Sequence, residues 1–408
     1  MKTPPWLALA LLAFAVRAGV AILTEHKPIF PSHYYNDARS ADSHGSEVAA
    51  AWAAGRAHEP SGSPSQRLHA VYLGSLYRAF GHRPLIPKLI NCAAAGATIA
   101  LLYGLFTALF GPGPALASAL LVALWPSHIF FTSQNFKESA TQLLATFAIA
   151  SAALAGKAAR GRLLAGGLAL AGVGFLRTLT MLVGELALGL AALVAMRARD
   201  GRARALLTVA ALALLHLPLR QYLFRGPLAV SAERSGDPSH ETSLIPSSYD
   251  HRTQARFSPL SPRGFSEFRR LRLEADQDYA RRSGLRVESQ LFPDERFETW
   301  LDVALFVPKA SFYALFMPLP GLYPLDGKPG RIAAAAENAL LLALTVAAAL
   351  GLRRGPLDSP RALLLLFFLG MAAASGLGEL DLGGAARHKT LYLPFVLPFA
   401  FYGLAKRR

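Results

Sequence analysis

Cysteine is almost missing from this chain: Cys92 is alone among 408 residues, so no intrachain disulfide can form. Charge is scarce as well. Asp, Glu, Lys and Arg make up 17% of the sequence, against about a quarter in a soluble domain. The chain also lacks a Walker phosphate loop, a Gly-x-Ser-x-Gly elbow and a His-Glu-x-x-His pair, which argues against an ATP-driven pump and an intramembrane zinc protease. Its 11 histidines include no pair at metal-ligand spacing with a supporting acid, and no metal ligand is assigned.

What fills the chain instead is apolar. Hydrophobic residues reach 53%, gathered in long runs at 89–110, 115–131, 163–196, 332–352 and 362–377. About 20 apolar residues span a hydrocarbon layer, so an all-α polytopic membrane protein is expected, with the lipid bilayer as its first partner. The run at 5–23 has no small-residue cleavage site and reads as an uncleaved first span.

The formal charge of +16 raises nucleic acid as a partner, and its distribution excludes it. Lys2, three short loops and the C-terminal tail hold 14 cations against the two acids Asp200 and Asp358, whereas residues 220–300 hold 13 Arg and 12 acids. That pattern is the positive-inside bias of cytoplasmic loops. Heavy use of Ala, Leu, Gly and Arg matches GC-rich prokaryotes, so a prokaryotic cytoplasmic membrane is expected.

Charge counting then gives ten spans with both termini cytoplasmic. They are 5–23, 85–110, 115–131, 140–155, two in 163–196 broken near Arg177, then 205–219, 332–352, 362–377 and 391–404. Treating 301–320 as re-entrant or interfacial keeps the charge rule, and Pro308, Pro318 and Pro320 fit a broken segment. Three regions follow. Residues 1–219 form a transmembrane module with a first outer loop at 24–83, which includes an interfacial helix at 68–80. Residues 220–330 form a mostly helical extracytoplasmic domain with the re-entrant segment, and 331–408 are C-terminal transmembrane helices.

Candidate chemistry collects on the outer side. Asp37 and Asp42, in Tyr34-Tyr35-Asn36-Asp37-Ala38-Arg39-Ser40-Ala41-Asp42, are general-base or metal-ligand candidates for a hydroxyl acceptor. Against this stands a solvated loop, with Asp42 or Ser43 capping a helix at 46–54. Lys137 and Glu138 occupy the tight connection between two spans. They are either snorkelling interface charges or a second acid beside a phosphate-binding lysine. Arg177 interrupts an apolar run and is a functional suspect by default, with a guanidinium fork suited to phosphate. Arg387, His388 and Lys389 lie outside against the charge trend, with Glu379 and Asp381 nearby to neutralise them. Lys88 is a similar outer-edge cation. His128 reads as a packed interfacial histidine.

In order along the chain, these features resemble the GT-C superfamily of polytopic glycosyltransferases, and most of all bacterial enzymes related to protein mannosyltransferases and aminoarabinose transferases. The resemblance is carried by the acidic first loop and a helix ending at Gly55, then by Lys88-Leu89-Ile90-Asn91. Ala123-Leu124-Trp125-Pro126-Ser127-His128-Ile129 before Lys137-Glu138, Gly174-Phe175-Leu176-Arg177 and the Leu-Pro rich stretch after Arg387 complete it. It covers about half of the chain, and residues 220–300 have no counterpart. It implies inverting transfer of a sugar from a polyprenyl-phosphate donor to an extracytoplasmic glycan, lipid or protein. Asp37 or Asp42 would be the base, with Glu138 a second acid. Lys137, Arg177, Arg387, His388, Lys389 and Lys88 would bind the donor phosphate. Some relatives use a divalent metal, which the sequence neither requires nor excludes. The alternatives are a lipid-linked polysaccharide polymerase or ligase and a lipid-linked sugar transporter or flippase.

Overall fold

The computed structural model describes residues 3–28, 35–58, 60, 63–155, 160–217, 219, 261–282 and 289–405. Tyr34 and, of the expected extracytoplasmic domain, residues 220–260 and 283–288 lie outside them. The described chain is helical, with one isolated β-bridge, between Gln290 and Asp381.

Among the described residues five helices are long and apolar enough to cross a membrane. They are α1 (Pro5–His26), α4 (Leu85–Phe110), α9 (Thr178–Arg197), α13 (Pro329–Leu352) and α14 (Ser359–Gly378). Between them lie α2 (Asn36–Ala53), α3 (Pro64–Phe80), α5 (Pro112–Leu124), α6 (Pro126–Thr132), α7 (Glu138–Ala153), α8 (Arg160–Leu176), α10 (Ala203–Ala213), α11 (Pro262–Arg282) and α12 (Trp300–Phe316). The chain ends in α15 (Leu382–Tyr392), a short 3-10 turn and α16 (Leu397–Leu404). Leucines on the outer faces of α9 and α13, among them Leu186, Leu193 and Leu350, are exposed, as lipid-facing positions are. The chain is therefore a multi-pass membrane protein.

Close packing rests on small residues, as in membrane bundles generally. A side chain at Gly96 on α4 would come within 2.9 Å of the Ala10 carbonyl of α1. Gly351 on α13 meets the backbone of α16 in the same way.

The expected third span, 115–131, is not one helix. α5 and α6 meet at a 59° bend, because Pro126 has no N–H to donate and drives Trp125 out of the helical region. Two side chains, one buried and one half-buried, satisfy the broken ends. Arg17 of α1 donates to the α5 carbonyls of Ala123 (2.9 Å) and Val122 (3.3 Å), to Thr132 Oγ1 (2.8 Å) and to His128 Nδ1 (2.7 Å). Glu337 of α13 accepts from the Ser127 N–H (3.1 Å), the Ser127 hydroxyl and Trp125 Nε1. A cation thus meets the carbonyl end of α5 and an anion the amide end of α6, the signs that helix dipoles favour.

Four further expectations are corrected. Asp42 lies inside α2, not at a cap, since the helix begins at Asn36. The interfacial helix starts at Pro64, where Ser63 and Gln66 form a capping box. Helix α12 runs through Pro308 and ends only at Met317. The expected last span, 391–404, is split by Pro394 and Pro398 into the end of α15, the 3-10 turn and α16.

Candidate functional site

Lys137 and Glu138 are held by a turn that buried amides fold. Asn91 on α4 donates to the carbonyls of Gln134 (2.7 Å) and Phe136 (3.0 Å), and Gln134 Nε2 donates to Thr24 Oγ1 (3.0 Å). The Gln134 carbonyl also accepts from the Phe136 N–H (2.8 Å), and leaving the Phe136 carbonyl unpaired in an apolar setting would cost about 1–3 kcal/mol, so the turn has little freedom. It aims Glu138, 1% exposed, at the break between α8 and α9.

Around Glu138 six charged or titratable side chains form an unbranched chain of contacts. Asp37 pairs with Arg387, and Arg387 Nε lies 3.2 Å from Glu138 Oε1. Glu138 also accepts from Arg177. Arg177 donates to His388 Nε2, and His388 Nδ1 faces Glu379. The Arg387 guanidinium rests over the Phe136 ring, 5.5 Å from its centre.

The electrostatics follow from the order of charges. Burial alone would raise the Glu138 carboxyl, but Arg177 and Arg387 outweigh it and hold the group at about 2. Partial burial would raise Glu379 too, but the His388 ring together with Arg272 keeps it at about 2. Burial lowers His388, with Arg177 acting in the same direction and Glu379 against it. Burial likewise brings Lys137 down to about 8, helped by Arg177.

Beside this chain lies a cavity of about 220 Å3. Arg177, His388, Glu379 and Lys137 line it, together with Ser65 at the start of α3 and Thr180 in the first turn of α9. The N–H groups of Leu179 and Thr180, in that first turn, have no helical carbonyl behind them. A helix start with this geometry favours an anion.

Of the expected site residues, Asp37, Glu138, Arg177, Arg387 and His388 meet in one cluster, and Lys137 stands at the adjoining cavity. Three do not. Asp42 accepts from the Tyr77 hydroxyl and lies 3.1 Å from His82 Nε2, cross-linking α2 to α3. Lys88 pairs with Glu25. Lys389 is buried against the Leu315 carbonyl (3.2 Å) and Asn338. The physical reason is helical geometry: successive residues of α15 point about 100° apart, so Arg387, His388 and Lys389 cannot all face one site. Asp37 and Asp42, five residues apart on α2, diverge for the same reason.

Glu379 belongs to the cluster, although the sequence marked it only as a neutralising acid. Its signal was its place at the end of an apolar run, against an outer cation. Arg17 and Glu337, both set in apolar stretches of sequence, were not singled out at all. Among the described residues no group of three or more His, Cys, Asp or Glu is arranged to hold a metal ion. No family model, curated protein or solved structure matches this chain.

Proposed function

We propose that this protein is an integral-membrane glycosyltransferase of the GT-C type, moving a sugar from a polyprenyl-phosphate donor to an extracytoplasmic hydroxyl. The observation that carries the reading is the contact chain Asp37–Arg387–Glu138–Arg177–His388–Glu379 beside a cavity lined by the first turn of α9. It combines an accessible carboxylate with preorganised cations at the edge of the membrane-spanning bundle.

In this reading Asp37, whose side chain is 64% exposed, takes the proton of the acceptor hydroxyl. The acceptor oxygen attacks the anomeric carbon as the bond to the phosphate oxygen breaks, and the configuration inverts. The electron pair leaves on the lipid phosphate, where Arg177 and the amides of α9 stabilise it. Arg387 couples the two ends, because it pairs with the base and with Glu138 of the phosphate side. Glu138 holds both arginines in place, since its carboxylate stays ionised at any working pH.

The test is transfer from a radiolabelled polyprenyl-phosphate sugar by the purified full-length protein. Wild type should transfer label, and Asp37→Asn should lower turnover by 100-fold or more, the scale of a lost general base. Equal turnover by Asp37→Asn and wild type would remove the base assignment. Absence of transfer from any polyprenyl-phosphate sugar would remove the reading.

A further inference from the structure

The cavity holds a second arrangement, which shares with sugar transfer only the first-turn amides of α9. Lys137 Nζ donates to Ser65 Oγ at 2.7 Å. Among the described residues no carboxylate lies within ion-pair distance of Lys137, while every other charged member of the site has one. Its hydrogen-bonded side-chain partner is a hydroxyl, half-buried at the second position of α3.

We infer that Ser65 and Lys137 form a nucleophile–base dyad that takes an acyl group from a lipid ester. Three independent features support it. The first is contact, since nucleophile and base are already within hydrogen-bond reach. The second is the state of the base. Burial brings the Lys137 ammonium down to about 8, so a sizeable neutral fraction exists near neutral pH, as a lysine base requires. The third is the surroundings. Ser65 sits in the first turn of α3, whose dipole favours a developing alkoxide. The same cavity is lined by Leu179 and Thr180, whose first-turn N–H groups are donors suited to an oxyanion. Phe175, Leu176 and Met371 complete an apolar side along which an acyl chain can lie.

The step balances without a further cofactor. Ser65 Oγ bonds to the ester carbonyl carbon while neutral Lys137 takes the hydroxyl proton. The carbon–oxygen bond to the alcohol then breaks, and the alcohol leaves with the proton that Lys137 returns. Water reverses the sequence, giving a free carboxylic acid and Ser65. Arginine in place of Lys137 would preserve the cation and the bond to Ser65 but could not act as a base.

Full-length protein in lipid nanodiscs is incubated with a fluorophosphonate probe, with no sugar donor present, so that a failure of glycosyl transfer does not affect the readout. Labelling expels fluoride as Ser65 Oγ bonds to phosphorus, and peptide mass spectrometry locates it. Wild type should be labelled at Ser65, at a rate that rises with pH and levels off above about 8. Ser65→Ala should abolish labelling, Lys137→Arg should slow it at least tenfold, and Ser75→Ala, at an exposed position of the same helix, should leave it intact. No labelling of wild type, labelling that survives Ser65→Ala, or full reactivity in Lys137→Arg would overturn the inference. The pH profile of wild type decides the matter even where a variant fails to fold.

Discussion

The guanidinium of Arg177 donates to Nε2 of His388, and a guanidinium has nothing but donors to offer. Nε2 must therefore accept, which puts the imidazole proton on Nδ1, where it faces Glu379. His388 is thus a neutral ring between a cation and an anion, in keeping with its lowered proton affinity.

Acid should dismantle this arrangement in two stages. The folded protein holds His388 below its ordinary range, so the unfolded chain binds the extra proton first. Stability then falls as pH drops below about 6.5, by up to about 1.4 kcal/mol per pH unit. Glu138 and Glu379 act in the same direction, each held at about 2, and their contribution fades between about 4.5 and 2. Thermal melts in detergent from pH 8 to 3 check this. His388→Gln, which keeps an acceptor and a donor but does not titrate, should make the first stage shallower, the rest coming from His69, which burial also lowers, and leave the second.

Glu138→Gln should destabilise the fold by about 3 kcal/mol, the lower end of the cost of breaking a buried pair, since the carboxylate is fully buried and its two cations are half-buried. Arg177 and Arg387 both rely on this carboxylate. An exposed pair such as Arg263–Glu298 serves as the control, since its removal should cost 1 kcal/mol or less. Unfolding midpoints of the two variants measured side by side decide the point. Similar values would contradict the burial argument.

Asp37 and Asp42 should separate cleanly. Asp42→Asn weakens the link between α2 and α3 and should lower thermal stability by about 1–3 kcal/mol while leaving turnover within a few-fold of wild type. Asp37→Asn should show the reverse pattern, with turnover down and stability little changed, because its side chain is largely exposed. A turnover loss confined to Asp42→Asn would reverse the assignment.

The membrane class and most helix positions were legible because apolar length is a strong signal and lipid leaves few alternatives. The break at Arg177 was readable for the same reason, since a cation cannot sit unnoticed in hydrocarbon. The sequence could not show side-chain direction. Arg387-His388-Lys389 reads as one cationic patch along the chain, yet the pitch of α15 sends Lys389 to Asn338, away from Arg177. The bend at Pro126 was hidden inside a continuous apolar run. Its satisfying partners, Arg17 and Glu337, lie 109 and 211 residues away in sequence, and such pairings are set by packing alone.

That bend yields the last prediction. Arg17 is fully buried, and its hydrogen bonds hold Val122, Ala123, Thr132 and His128 together. Arg17→Met keeps much of the volume but removes the Arg17 donor from the Ala123 carbonyl and from the imidazole, at about 1–3 kcal/mol for each group. The same loss would loosen α6 and the turn that carries Lys137 and Glu138, because Ser139 Oγ donates to the Thr132 carbonyl (3.2 Å). Cys92 reports on this directly, since it is the sole cysteine and is fully buried on α4, next to Asn91. Maleimide should label Cys92 at least tenfold faster in Arg17→Met than in wild type, and Asn91→Ala should have a comparable effect through the turn it supports. Unchanged labelling in Arg17→Met would mean that the bend is held by packing rather than by this hydrogen-bond set.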